Sequence, residues 1–195
     1  MIGVLASGEG SNLQALLDAG LPVCAVASNR REARALERAR AAGVPTCVFP
    51  LEEHPSRDVR DAAMAAWLAE RGVELVVCAG YMHLLTSPFL ERFPGRILNV
   101  HPSLLPAFPG LHAQRQALDH GVKVAGATVH FVDEGLDSGP IVLQAAVAVE
   151  PGDTEDTLAA RILAEEHRLY PAAVRLFAEG RLEIAGRRVI VKEPE

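Results

Sequence analysis

The first seventeen residues run strand, glycine loop and helix in direct succession, and that order restricts the fold more than anything later in the chain. Ile2 to Ala6 is an unbroken apolar run, Ser7-Gly8-Glu9-Gly10-Ser11-Asn12 follows, and Leu13, Leu16 and Leu17 then recur at helical spacing. The pattern repeats. Val23 to Ala27 reads as a second buried strand, and Arg31 to Ala42 as an Ala, Arg and Glu-rich helix stopped by Gly43. Thr46 to Phe49 gives a third strand, a helix capped by Ser56 runs to about Glu70, and Leu75 to Cys78 is a fourth strand. Strands that alternate with helices across short connections form parallel β-α-β units covered on both faces. The first half is therefore expected to be Rossmann-like.

The pattern changes after Gly110. Val122 to Val132 and Ile141 to Val149 are β-rich runs that bracket Asp133-Glu134-Gly135-Leu136-Asp137-Ser138-Gly139-Pro140, which predicts an antiparallel pair. Asp153 or Thr154 can cap a long helix carrying Leu158, Ile162 and Leu169 on one stripe. Pro171 is expected to kink or restart that helix, and Gly180 to end it. Leu182 to Ile184 and Val189 to Val191 read as a terminal hairpin around Ala185-Gly186. The fold class that results is α/β: a single Rossmann-like domain with a mostly parallel, mixed sheet and helices on both faces.

Between the two halves lies Ile97-Leu98-Asn99-Val100-His101-Pro102-Ser103-Leu104-Leu105-Pro106-Ala107-Phe108-Pro109-Gly110, an apolar strand that passes into a proline-punctuated loop. Strand side chains alternate, so Asn99 and His101 share a face while Val100 points away. The prolines fix φ and stiffen the loop without making it helix or strand. Ligands of open α/β sheets bind beyond the carboxyl ends of strands. An amide and an imidazole placed there offer an oxyanion donor beside an acid or base; alternatively, both side chains bond only to backbone.

At 195 residues the chain suits one domain, and 49% hydrophobic against 23% charged residues excludes a mainly disordered chain. The net charge of −6 comes with dispersed arginines, which argues against duplex nucleic acid as a partner. Cys24, Cys47 and Cys78 are odd in number, form no C-x-x-C pair and sit in or beside apolar runs, so they read as reduced core residues. The chain shows neither a basic leader nor a long apolar segment. A soluble, cytoplasmic protein with no membrane partner is expected.

Gly8 and Gly10 fit the start of G-x-G-x-x-G, but Leu13 occupies the third glycine's place. Asn29-Arg30-Arg31 stands where a dinucleotide site wants an acid. What survives is a phosphate held by the amides of Gly10, Ser11 and Asn12 at a helix start, or else a tight turn with an Asn cap. Asp137, flanked by Gly135 and Gly139, is either a solvated turn residue or a carboxylate that orients His101. Taken with Asn99, the second reading gives acyl-group chemistry. Ser103 lacks a G-x-S-x-G setting, so direct transfer to a substrate amine fits better than a covalent intermediate. The scattered histidines contain no H-E-x-x-H pattern and no paired cysteine cluster, and no metal is expected.

At these residues the chain resembles the glycinamide ribonucleotide formyltransferases, which use 10-formyltetrahydrofolate in purine biosynthesis. The resemblance is carried by Gly8-Glu9-Gly10-Ser11-Asn12-Leu13-Gln14-Ala15, the segment from Asn99 to His112, His130-Phe131-Val132, Leu136-Asp137-Ser138-Gly139-Pro140, and Glu166-His167 with Tyr170-Pro171. It implies a formyltransferase domain over residues 1–195, with a Rossmann-like phosphate-binding half (1–100) and a half (101–195) bearing the folate and catalytic loop and the C-terminal helix. It also implies a transferase in which Asn99, His101 and Asp137 are catalytic. Gly10, Ser11, Asn12 and Glu166 would bind the ribonucleotide. Arg57, Met82, His83, Leu84, Leu85 and Asn99 would meet the folate, which serves as co-substrate. Monomer or homodimer is expected.

One departure stands out: His83 occupies a place where familiar members have arginine. Methionyl-tRNA formyltransferase and formyltetrahydrofolate hydrolase share the Asn-x-His-Pro-Ser-Leu-Leu-Pro segment but carry an added domain, so this length favours the smaller enzyme. A nucleotide-binding module without catalysis would leave Asn99, His101 and Asp137 unexplained.

Overall fold

The computed structural model describes residues 1–193 and forms two compact units, Met1–Asn99 and a second that begins at Val100. In the first, β1 (Ile2–Leu5), β2 (Val23–Ser28), β3 (Thr46–Val48), β4 (Leu75–Cys78) and β5 (Ile97–His101) lie in the order β3-β2-β1-β4-β5, all parallel. Val4, Val26, Val76 and Val77 are fully buried, as expected of parallel strands with both faces covered. The helices of this unit are α1 (Ser11–Asp18), α2 (Arg34–Ala41), α3 (Arg57–Ala69) and α4 (Ser87–Leu90). α3 starts as its sequence dictates, with the Ser56 hydroxyl accepting from the Val59 N–H. The strand order reverses between β1 and β4. Their carboxyl ends open into Ser7–Gly10 and Gly80–Thr86, so the two loops meet at the topological switch point.

The second unit begins within β5 and contains α5 (Ala113–Asp119), β6 (Val124–Phe131), β7 (Ile141–Ala148), α6 (Glu155–Ala178), β8 (Leu182–Ala185) and β9 (Arg188–Val191). β6 and β7 are antiparallel, β9 joins β7 in parallel, and β8 pairs antiparallel with β9. The order β6-β7-β9-β8 makes the sheet mixed.

Several expectations change. α6 runs unbroken through Pro171, because Tyr170, Pro171, Ala173 and Val174 are all buried on the face that packs against the strands. Tertiary burial there outweighs the roughly 3 kcal/mol that an internal proline costs. Its start follows the sequence: Thr154 and Thr157 form a reciprocal capping box. α1 is capped not by asparagine but by Gly10 at φ 71. A side chain at Gly10 would also meet the Ala35 backbone at 2.7 Å, so α2 packs directly on the loop. α2 itself begins three residues later than expected, after a turn in which Arg30 pairs with Glu32. Of the cysteines only Cys78 is buried, and burial pushes its thiol up to about 12. Cys47 lies on the edge strand β3 and Cys24 near the start of β2, so both keep partial exposure.

Candidate active site

In the second unit, His101 and Asp137 come together. His101 Nδ1 lies 3.3 Å from Asp137 Oδ2, with both side chains nearly buried. His101 Nε2 lies 2.9 Å from the Phe108 carbonyl. Both ring nitrogens thus face acceptors, and only the doubly protonated ring can donate to both. Asp137 has further partners. Its Oδ2 accepts from the Gly110 N–H at 2.8 Å, and its Oδ1 lies 3.7 Å from Nε2 of His130, which is buried. Burial pushes the His130 pKa below its ordinary value, although the Phe131 carbonyl and Asp137 pull it upward. The Asp137 carboxylate therefore stands between two imidazoles.

The loop that carries Asp137 is built locally. Asp133 Oδ1 accepts from the Gly135 N–H and the Ser138 hydroxyl, Phe131 N–H donates to the Pro140 carbonyl, and Asp137 takes φ 49. Gly139 packs so tightly that an added Cβ would sit 1.8 Å from the Phe131 carbonyl oxygen. Gly139→Ala is accordingly expected to destabilise the fold by about 1–3 kcal/mol and to lower turnover by displacing Asp137. A melting curve and an activity assay on the purified variant check both. An unshifted melt would mean that the loop yields without cost.

The proline loop is pinned from the antiparallel pair. The Thr128 hydroxyl accepts from the Leu105 N–H and donates to the Ser103 carbonyl, while Gln144 Nε2 reaches the Leu105 carbonyl at 2.9 Å. Leu105-Pro106 is cis. Asn99 is half-buried on β5, opposite Cys78 of β4 in register, and strand alternation puts it on the same side as His101. Glu166 sits buried on α6, in the stripe that also buries Leu158, Ile162, Leu169 and Tyr170.

In the first unit, Gly10, Ser11 and Asn12 open α1, leaving backbone N–H groups at its start. Ser7 ties the two loops at the switch point: its N–H donates to the Gly80 carbonyl, and its hydroxyl accepts from the Met82 N–H at 3.0 Å. Arg57 donates to the Leu84 carbonyl. Met82 and Leu84 expose their apolar side chains, 59% and 52% respectively, an unusual posture for residues in a backbone so firmly held.

Sequence reasoning did not single out His130 as part of the site, nor Thr128, Gln144, Arg60 or Asp61. The signal for two of them was present. Thr128 and His130 alternate with Val129 and Phe131 on β6, which is the period-two placement of polar groups on one strand face. Among the described residues no group of three potential metal ligands gathers, and no helix is long and apolar enough to cross a membrane.

Known proteins share this arrangement of elements. The formyl transferase family model matches residues 1–174. Phosphoribosylglycinamide formyltransferase of Escherichia coli (strain K12) is 45% identical over 93% of this chain and 88% of its own length. The protein of that name from Mycobacterium tuberculosis is 51% identical over 94% and 87%. The trifunctional purine biosynthetic protein adenosine-3 of Drosophila pseudoobscura pseudoobscura is 47% identical over 93% of this chain, which spans only 14% of that relative's length. The crystal structure of glycinamide ribonucleotide transformylase 1 from Symbiobacterium toebii superposes with a TM-score of 0.97 at 60% identity, covering 98% of this chain and 93% of its own. A single α/β domain with a mostly parallel, mixed sheet is common to both. With a family match over residues 1–174 and two bacterial relatives covered over 88% and 87% of their own length, this chain belongs to the formyl transferase family.

Proposed function

We infer that this chain is a folate-dependent transferase of purine biosynthesis, moving the formyl group of 10-formyltetrahydrofolate to the amine of glycinamide ribonucleotide. The observation that carries the reading is the nearly buried His101–Asp137 pair, whose imidazole follows Asn99 by two residues on one strand. The substrate amine attacks the formyl carbon, forming a C–N bond and a tetrahedral oxyanion. Asn99 Nδ2 and protonated His101 donate to that oxygen. The Nε2–H that faces the Phe108 carbonyl is the proton at hand. Asp137 holds the ring and balances its charge. Collapse breaks the bond from carbon to N10 of the folate. The attacking nitrogen gives up a proton and N10 gains one, so the products are the formamide and tetrahydrofolate.

Gly10, Ser11 and Asn12 hold the ribonucleotide phosphate in this scheme, and Glu166 meets its ribose or glycinamide end. Arg57, the strip from Met82 to Leu85 and Asn99 receive the folate. The phosphate-binding role belongs to residues 1–100, and the catalytic loop to residues 101–195. Three free cysteines suit the reducing cytoplasm. No metal takes part.

An absorbance assay for folate product, run with and without glycinamide ribonucleotide, tests the reading. Product that forms only with the amine acceptor is the expected result; equal release without it would make the chain a hydrolase. The phosphate loop gives a second expectation. Glycinamide riboside, which lacks the phosphate, should bind at least about a hundredfold more weakly than the ribonucleotide, since the charge-assisted bonds to those amides are lost, while folate affinity barely changes. Equal affinity for the two acceptors, measured by calorimetry, would put the phosphate elsewhere.

A further inference from the structure

Arg60 and Asp61 are both fully buried in α3, an unusual position for charged groups. Asp61 Oδ1 accepts from Arg60 Nε at 2.8 Å and from Nη2 at 2.6 Å. Each ion has a second task outside the helix. Arg60 Nη1 reaches His83 Nδ1 at 2.8 Å, and Asp61 Oδ2 accepts from the Thr86 N–H at 2.9 Å. Both targets lie in the irregular stretch after β4. That stretch is also held at Gly80 and Met82 by Ser7 and at Leu84 by Arg57. Between these anchors Met82 and Leu84 project outward.

Donor and acceptor counting fixes the state of His83. A guanidinium can only donate, so Nδ1 must accept, and the neutral ring then carries its proton on Nε2. Asn29 lies against Nε2, with its amide nitrogen placed 3.3 Å away. Two donors cannot bond to each other. The guanidinium cannot reverse its role but the amide can turn, so its oxygen faces Nε2–H and its nitrogen donates to the Ser7 hydroxyl, 2.6 Å from the other amide atom. Ser7 then receives both Asn29 and the Met82 N–H, and one chain of bonds runs from Arg60 through His83, Asn29 and Ser7 to Met82. Burial, followed by the charges of Arg60 and Arg57, pushes the His83 pKa below its ordinary value, against the pull of Asp61. A neutral ring is what the chain of bonds requires.

We propose that Arg60 is a positioning residue for folate binding: neutralised by Asp61, it holds His83 in one tautomer and so sets the shape of the Met82–Leu85 strip. The proposal rests on the reading of that strip as the folate-contacting segment. His83 here serves as a strut rather than a cationic contact. The solvent-facing cation of the strip is Arg57, bonded to the Leu84 carbonyl.

Steady-state kinetics of His83→Leu and His83→Asn, with nitrogen-15 NMR of the imidazole in the unaltered protein, test it. Leucine offers no acceptor to Arg60, and KM for 10-formyltetrahydrofolate is expected to rise about tenfold, with KM for glycinamide ribonucleotide within about twofold. Asparagine presents an oxygen near the place of Nδ1 and should recover most of the loss, a rescue that mere filling of space would not give. The NMR spectrum at pH 7 should show the Nε2–H tautomer, and it decides the matter should His83→Leu fail to fold. An Nδ1–H tautomer, an imidazolium, or an unchanged folate KM in a folded His83→Leu would each overturn the proposal. An unaltered protein that transfers no formyl group would instead overturn the functional reading, while the tautomer still tests the strut.

Discussion

Replacing Asn99 with alanine is expected to lower kcat by about two to three orders of magnitude, the usual loss when one oxyanion donor is removed, with the fold intact. The expectation of an intact fold comes from how Asn99 is held. Its place on β5 is fixed by main-chain pairing in the register Cys78↔Asn99, and its neighbours Leu98 and Val100 supply the burial. Alanine keeps that backbone and loses only the amide. The measurement is kcat on purified protein, alongside a melting curve that reports the fold. Near-normal turnover in a folded variant would remove Asn99 from the mechanism and leave His101 as sole donor.

Asp137→Asn is expected to cost about 10² to 10⁴ in kcat, comparable with other carboxylates that orient a catalytic imidazole. Asparagine tolerates the left-handed backbone at φ 49 as well as aspartate does, and its oxygen can still accept from the Gly110 N–H. The loop should therefore stay in place. What disappears is the negative charge 3.3 Å from His101 Nδ1. With the oxygen kept on Gly110 and His101, the new NH2 group takes the place of Oδ1, 3.7 Å from His130 Nε2. The loss should fall on kcat with both KM values little changed. Full activity with both substrates would reduce Asp137 to a turn residue. The same change at Asp133, which holds the loop through Gly135 and Ser138, would act on the loop's shape instead.

The two variants share one reason for large effects. Neither side chain builds the core, yet each is presented by an element that the core fixes: Asn99 by a buried parallel strand, Asp137 by a loop closed between Phe131 and Pro140. Substitutions at such positions act on chemistry before they act on stability.

Local chemistry determined much of this protein directly. Apolar runs of strand length separated by helical periodicity gave the parallel half, because a strand buried on both faces has to be apolar throughout. Ser56, and the choice between Asp153 and Thr154, announced their helices, since a side-chain oxygen at that position satisfies an amide the helix itself leaves open; the structure uses Thr154. The pair Asn99 and His101 was legible because alternation along one strand needs no knowledge of any other element. Short-range rules sufficed in each case.

Tertiary structure decided the rest, and always where long-range packing outweighed a local preference or joined residues far apart in sequence. Pro171 stays inside α6 because burial of Tyr170 and Val174 against the strands exceeds its local cost. Gly10 caps α1 because Ala35 leaves no room for a side chain there. Asp137 meets His101 only because β6 and β7 return the chain past the proline loop, and His130 joins them by the same path. Arg60 and Asp61 carry no local signal of burial within the helix that follows Ser56. Only the packing of α3 beneath the loop after β4 buries them and turns their charges on His83 and Thr86, since a buried ion must find partners wherever the fold supplies them.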